Sequence, residues 1–143
     1  MTHPFYAIHS HGLIRVAAAT PRASVGDTRA NADATIALAR EADARGVDLV
    51  VFPELNLTSY AIDDLHLQTA QQRATLAAIA TVVAASATLR PVLLVGAALV
   101  RNGRLYNCAL AIARGQVLGV VPKTFLPTTA NSTKSAGSPA ARV

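Results

Sequence analysis

Cysteine, tryptophan and aromatic residues in general are scarce in this 143-residue sequence. The single cysteine cannot form an internal disulfide, which favours a reducing compartment and makes the cytoplasm the expected location. Three tyrosines, three phenylalanines and no tryptophan offer little surface on which bases could stack. The net charge of +5 comes from basic residues that are scattered singly, so nucleic acid is not an expected partner.

Long hydrophobic runs are missing as well. The longest uncharged stretch lies between Arg73 and Arg90, and it is rich in alanine, threonine and serine. It falls short of the roughly 18 to 20 apolar residues that a membrane span needs, so no membrane association is expected. The sequence contains no Gly-rich phosphate loop and no Cys/His spacing typical of a metal site, and none of its four histidines is assigned as a ligand.

The sequence is nevertheless apolar enough to fold, since 52% of its residues are hydrophobic and only 15% are charged. Two alanine-rich segments without glycine or proline, 27–45 and 70–87, predict helices. In the second helix, Leu76, Ile79, Ala80 and Val83 have the spacing of one helix face. Short runs rich in branched residues predict strands, at 13–19, 48–52, 92–97, 105–113 and 116–121.

The order of these elements predicts an α/β domain with a mixed sheet. Asn102-Gly103 separates two predicted strands and is typical of a tight hairpin turn. From Thr128 onward the periodicity is lost, and serine, threonine, alanine and proline dominate. We therefore expect a folded portion over residues 1–128 and a disordered, low-complexity tail over 129–143.

Glu54 is one of only two glutamates, and it directly follows the apolar run 48–52 and Pro53. Open α/β sheets place their active sites beyond the carboxyl ends of strands. Partial burial there would raise the pKa of Glu54 towards neutrality, where a carboxylate can move protons. The alternative interpretation is a carboxylate that caps the amides of the following loop.

Lys123 also stands just past an apolar strand and a proline, in a chain that otherwise uses arginine for positive charge, apart from Lys134. A compact ammonium group suits a site where a negative oxygen develops during acyl transfer. The alternative is a solvated lysine in a turn. If both strand ends lie at one edge of the sheet, Glu54 and Lys123 could meet in a single crevice.

Three segments of the sequence resemble motifs of the nitrilase superfamily of carbon–nitrogen hydrolases: 51–60 (VFPELNLTSY), 105–109 (LYNCA) and 119–127 (GVVPKTFLP). Within that superfamily, segments 9–18 (HSHGLIRVAA) and 60–65 (YAIDDL) are most similar to the glutamine-hydrolysing domain of the glutamine-dependent NAD synthetases. The resemblance covers about the first 128 residues.

This resemblance implies an α-β-β-α sandwich in which a Glu, a Lys and a Cys hydrolyse an amide through a thioester. Glu54 matches the general base, Lys123 matches the residue that stabilises the oxyanion, and Tyr60 lies in a loop that helps to shape the substrate pocket. The matching nucleophile would lie beyond the Lys123 motif. Cys108 precedes that motif in the middle of a predicted strand, where burial would make its thiol inert.

The same resemblance implies an incomplete, N-terminal portion of the amidase domain, truncated before the nucleophile. No cofactor is expected for the amidase step, and ATP and Mg²⁺ are expected only in the synthetase domain, which the sequence lacks. The substrate would be a small-molecule amide, glutamine in the favoured interpretation. Two alternatives stay open: another nitrilase-like amidase, and a noncatalytic fragment that associates with a homologous chain. Either a homo-oligomer or an aggregation-prone fragment is expected, because unpaired strand edges and apolar surfaces favour association.

Overall fold

The computed structural model describes residues 4–124. It contains five strands, β1 (Val16–Ala18), β2 (Leu49–Val51), β3 (Val92–Arg101), β4 (Arg104–Ala113) and β5 (Gln116–Pro122). Two α-helices are present in this range, α1 (Thr28–Ala44) and α2 (Thr69–Ser86), together with short 3-10 helices at Pro4–Tyr6, Ile8–His11 and Tyr60–Leu67. The predicted tail over 129–143 and the end of the Lys123 motif lie outside the described residues.

The strands form one sheet in the order β1-β2-β3-β4-β5. The pairs β1–β2 and β2–β3 are parallel, whereas β3–β4 and β4–β5 are antiparallel. The predicted mixed α/β sheet is therefore confirmed. Both antiparallel connections are tight turns in which two consecutive residues have positive φ, Asn102-Gly103 and Arg114-Gly115. This is the backbone conformation that the twist of a hairpin requires, and the Asn-Gly pair adopts it readily.

Helix α1 begins and ends close to where its sequence predicts. The side chain of Asp27 accepts a hydrogen bond of 2.9 Å from the backbone N–H of Ala30, as an N-cap residue does. Arg45 is the C-cap residue, and Gly46 follows with a φ of 66°. The buried face of the helix combines alanine and Ile36 with three polar residues, Thr28, Asn31 and Thr35.

Helix α2 forms as predicted, but only part of the predicted face lies against the core, where Ile79 is buried and Val83 packs against it. Leu76 is 59% exposed and Ala80 is exposed, whereas the residues that face the core are Thr75, Ala78, Ile79, Val82 and Ser86. An alanine-rich helix has little contrast in hydrophobicity between its faces, so packing decides its rotation. Ser86 shows one such constraint, because its hydroxyl accepts a 2.9 Å hydrogen bond from the backbone N–H of Gly115 in the β4–β5 turn.

The core lies between the sheet and the two helices. One row of buried side chains runs across three neighbouring strands at Val50, Leu93 and Ile112, and each of these is fully buried. Cys108 and Leu110 belong to the same face of β4. Helix α2 contacts α1 and the strands β3, β4 and β5. The helices thus cover one face of the sheet.

The opposite face of the sheet is apolar and exposed. Val16, Val51 and Val121 alternate with the core residues of their strands and are exposed on this side. Within residues 4–124 no second layer covers them, so the described portion amounts to one helical layer and one sheet of a layered fold. No helix in the same range is long and apolar enough to cross a lipid bilayer.

A carboxylate anchors the segment that leads into β1. Asp48, just before β2, accepts hydrogen bonds from the backbone N–H of Arg15 at 2.8 Å and from the guanidinium of Arg90 at 2.9 Å. The Nε2 atom of His9 lies 2.9 Å from Oδ2 of the same carboxylate. The bond from Arg15, followed by those from His9 and Arg90, lowers the pKa of Asp48 to about 2. The N-terminal ends of β1, β2 and β3 are held together by this group.

Strand β5 is predicted to drive self-association. It is an edge strand among the described residues, and its Leu118 side chain is 59% exposed. Placing a lysine on such an edge opposes pairing with another copy. Leu118→Lys should therefore lower the weight-average mass in sedimentation velocity at a given concentration.

Val25→Lys is the matched control, because Val25 is similarly exposed, 63%, and lies in the loop before α1, outside the sheet. It should leave the association unchanged. A wild-type chain that is a monodisperse monomer with a sharp cooperative melt would contradict the prediction.

Candidate functional site

The loop that carries Glu54 crosses strand β3 at the carboxyl end of β2. Phe52 continues from β2 and donates its backbone N–H to Leu94 O at 2.9 Å, and Leu57 donates to Gly96 O at 3.2 Å. A methyl group built on Gly96 would lie 2.5 Å from the nitrogen of Leu55 and 2.6 Å from the oxygen of Pro53. Only glycine at position 96 lets the loop lie this close to the sheet.

Lys123 reaches the same place from the end of β5. Its backbone N–H donates to Asn107 O at 2.8 Å, which continues the pairing of β5 with β4 by one residue. Its Nζ atom donates a hydrogen bond of 2.8 Å to Oε1 of Glu54. The expectation that the two strand ends meet in one crevice is therefore confirmed, while the chemical roles assigned to them stay predictions.

Asn107 is a third member of this cluster. Its side-chain amide donates a hydrogen bond to the Glu54 oxygen that also accepts from Lys123. Sequence reasoning did not select Asn107 as a site residue. The available signal was a lone polar side chain in the middle of the apolar strand β4, within the segment 105–109.

The expected direction of the Glu54 pKa was wrong. The hydrogen bond from Lys123 lowers the pKa of Glu54 from 4.5, and the bond from Asn107 acts in the same direction, whereas burial opposes them. The side chain is 41% exposed, so burial is too weak to outweigh an adjacent ammonium group. In turn, the hydrogen bond to Glu54 raises the pKa of Lys123 above 10.5. Both groups are therefore charged at neutral pH.

A pocket of about 300 Å³ opens beside the charged pair. Glu54, Asn107 and Lys123 line it on the polar side, and Phe52 and Leu94 are among its apolar lining residues. A carboxylate and an ammonium group at one rim can respectively accept a proton and stabilise a developing negative charge. In the part of the chain that the structure describes, no three His, Cys, Asp or Glu side chains are grouped so that they could hold a metal ion.

Cys108 also borders the pocket, but its side chain is part of the core. It is only 5% exposed, and burial raises the pKa of its thiol above 9.0. Its Sγ atom lies 3.7 Å from Tyr106 O. The expectation that Cys108 is buried is confirmed, and a thiol in this environment is a poor nucleophile.

Tyr60 begins the third 3-10 helix, just after the Glu54 loop. Its side chain is 71% exposed and is close enough to Lys123 to contribute electrostatically to the raised pKa of that residue. Tyr60 is not among the residues that line this pocket, and its part in shaping a substrate pocket stays a prediction.

Comparisons with known proteins agree with the resemblance seen in the motifs. Residues 15–138 match the protein family described as carbon–nitrogen hydrolase. Over 124 residues the chain is 48% identical to the glutamine-dependent NAD(+) synthetase of Mycobacterium tuberculosis. The matched region is 87% of this chain and 18% of that protein. The chain thus spans about a fifth of the length of this relative.

Solved structures share its fold, and two of them serve as examples. The glutamine-dependent NAD(+) synthetase from Cytophaga hutchinsonii is similar with a TM-score of 0.74 and 24% identity, over 80% of this chain and 20% of that one. An amidase of the nitrilase superfamily from Nesterenkonia, solved as a mutant, is similar with a TM-score of 0.70 and 21% identity, over 81% of this chain and 45% of that one. The expected nitrilase-like α/β fold, present in part, is confirmed by these similarities.

The pKa of Glu54 provides a direct test of the charged pair. Lys123→Met removes the ammonium group and should raise the pKa of Glu54 towards or above 4.5. Lys123→Arg keeps the positive charge, so the pKa of Glu54 should stay below 4.5. The measurement is a carbon-detected NMR titration of the side-chain carboxyl groups.

The same pair makes stability depend on pH. A lowered folded-state pKa stabilises the protein above the unfolded-state pKa of Glu54, and this contribution is lost as the pH falls through the folded-state value. Denaturant unfolding of wild type and Lys123→Met should therefore differ at neutral pH and converge in acid. An unchanged Glu54 pKa in Lys123→Met would show that the pair does not form in solution.

Proposed function

Because the chain belongs to the carbon–nitrogen hydrolase family, we propose that it forms the N-terminal part of a glutamine amidase domain of the kind that supplies ammonia for NAD synthesis. The observation that carries the proposal is the Glu54 carboxylate, held by Lys123 and Asn107 at the rim of a pocket. The similarity to glutamine-dependent NAD(+) synthetases over 87% of the chain supports the choice of glutamine as the amide.

Glu54 acts as the general base in this proposal. It is ionised at neutral pH, because Lys123 lowers its pKa, and it can therefore accept the proton of an attacking thiol. The thiolate adds to the carboxamide carbon, and Lys123 stabilises the oxygen that becomes negative. Glu54 then passes its proton to the departing ammonia as the C–N bond breaks and a thioester forms.

Hydrolysis of the thioester completes the reaction. Glu54 accepts a proton from water, the hydroxide attacks the thioester carbon, and the proton returns to the sulfur as the carboxylate product leaves. Tyr60 shapes the mouth of the substrate pocket. The amidase reaction uses only side chains and water. ATP and Mg²⁺ would act in a synthetase domain that these 143 residues do not include.

The thiol of this mechanism is not Cys108. That residue is the sole cysteine of the sequence, and its side chain is buried in the core with a raised pKa. The proposal therefore requires a thiol from another stretch of polypeptide.

On its own, the 143-residue chain should release no ammonia from glutamine above the buffer rate.

A second candidate function is association without catalysis. It is favoured by the exposed apolar face of the sheet, where Val16, Val51 and Val121 are uncovered among the described residues. A homologous chain with a matching face could bind there. This candidate predicts association that does not depend on the charge of Glu54 or Lys123.

A chimera tests the catalytic proposal. Residues 15–124 of this chain would replace the matching region of the Mycobacterium tuberculosis relative, and ammonia release from glutamine would be measured. The chimera should be active, and Glu54→Gln should lower kcat at least about a hundredfold, since removing a general acid–base group typically costs that much.

Glu41→Gln is the matched control, because Glu41 is the only other glutamate and pairs with Arg45 on the exposed side of α1. It should leave ammonia release unchanged. A folded chimera in which Glu54→Gln is as active as the parent would reject the general-base role. Ammonia release by the isolated chain, abolished by Glu54→Gln, would reject the requirement for a separate thiol.

A further inference from the structure

A buried polar chain connects helix α1 to the loop that carries Glu54. The side-chain amide of Asn56 donates a 2.8 Å hydrogen bond to the hydroxyl of Thr35, and that hydroxyl donates a 2.7 Å bond to the backbone oxygen of Asn31. All three residues are buried, and Thr35 is completely inaccessible. The hydroxyl thus accepts one bond and donates another, which a methyl group could not replace.

Asn31 extends this connection to the next residue of the loop. Its side-chain amide donates to Leu57 O at 3.1 Å and to Ser24 O at 2.8 Å, and its oxygen accepts from Ser24 N at 2.7 Å. Asn56 and Leu57, the second and third residues after Glu54, are therefore both tied to α1. No part of this network contacts the pocket beside Glu54.

The loop needs such ties because its own backbone is strained. Leu55 has a φ of 52° and Ser59 a φ of 71°, and neither is a glycine. Residues with a Cβ atom adopt these conformations only when the surrounding structure imposes them. Gly96 supports the loop from the sheet side, and the Asn56–Thr35 bond holds it from the helix side.

We propose that Thr35 and Asn56 are positioning residues that hold the loop so that the Glu54 carboxylate stays within hydrogen-bond distance of Lys123 and Asn107. The positioning itself is a property of this chain. Its effect on catalysis rests on the proposed amidase function, so the two consequences are tested separately.

Thr35→Val is the informative substitution, and Thr35→Ser is its matched control. Valine has nearly the shape of threonine but cannot accept the bond from Asn56, whereas serine keeps the hydroxyl. In the isolated chain, the NMR titration should show the pKa of Glu54 rising towards 4.5 in Thr35→Val and staying at its wild-type value in Thr35→Ser.

Two further variants separate positioning from stability. Thr35→Val with Asn56→Leu removes both partners, so no donor is left unsatisfied, and it should be more stable than Thr35→Val alone while showing the same raised pKa. Val82→Ala destabilises the core at a fully buried residue on α2 that makes none of the network's hydrogen bonds, and it should leave the pKa of Glu54 unchanged.

In the active chimera, Thr35→Val should lower kcat about tenfold or more with a smaller effect on KM, because a small displacement of a catalytic group is costly. A wild-type Glu54 pKa in both folded Thr35→Val variants would overturn the proposal, as would an equal shift in Val82→Ala. A shifted pKa with unchanged kcat would support the positioning and count against the role of Glu54 as a base.

Discussion

The hydrogen bonds that Glu54 accepts from Lys123 and Asn107 join three parts of the chain at one point. Glu54 follows β2, Asn107 lies within β4 and Lys123 follows β5, so the contact exists only when β3 is correctly placed between β2 and β4. Gly96 on β3 makes the approach possible, since any side chain there would collide with the loop. The site is thus a consequence of sheet register rather than of any local motif.

The two ends of β2 carry carboxylates with different tasks. Asp48 at the start accepts bonds from Arg15 and Arg90, and these hold the strand ends together. The hydrogen bonds from these partners lower the pKa of Asp48 to about 2. Glu54 at the other end is open to a pocket, so its charge is available to a ligand. The difference agrees with the general placement of active sites at the carboxyl ends of strands.

Much of the secondary structure could be predicted, because its signals are local. Asp27 before an alanine-rich segment predicts a helix, and Asn102-Gly103 predicts a hairpin. Both signals are local, because they depend on the conformational preferences of residues that are neighbours in the sequence. The rotation of α2 could not be predicted in this way. Leu76 is larger than Ser86, yet Ser86 is buried because it satisfies a backbone donor in a distant turn.

The sequence by itself determined the element order, the turns and the two scarce charged residues that follow apolar strands, Glu54 and Lys123, because these depend on residue type and spacing. Only the tertiary structure decided the sign of the Glu54 pKa shift and the membership of Asn107 in the site. Both depend on distances across the sheet, where an ammonium group 2.8 Å away outweighs the modest burial of a partly exposed carboxylate.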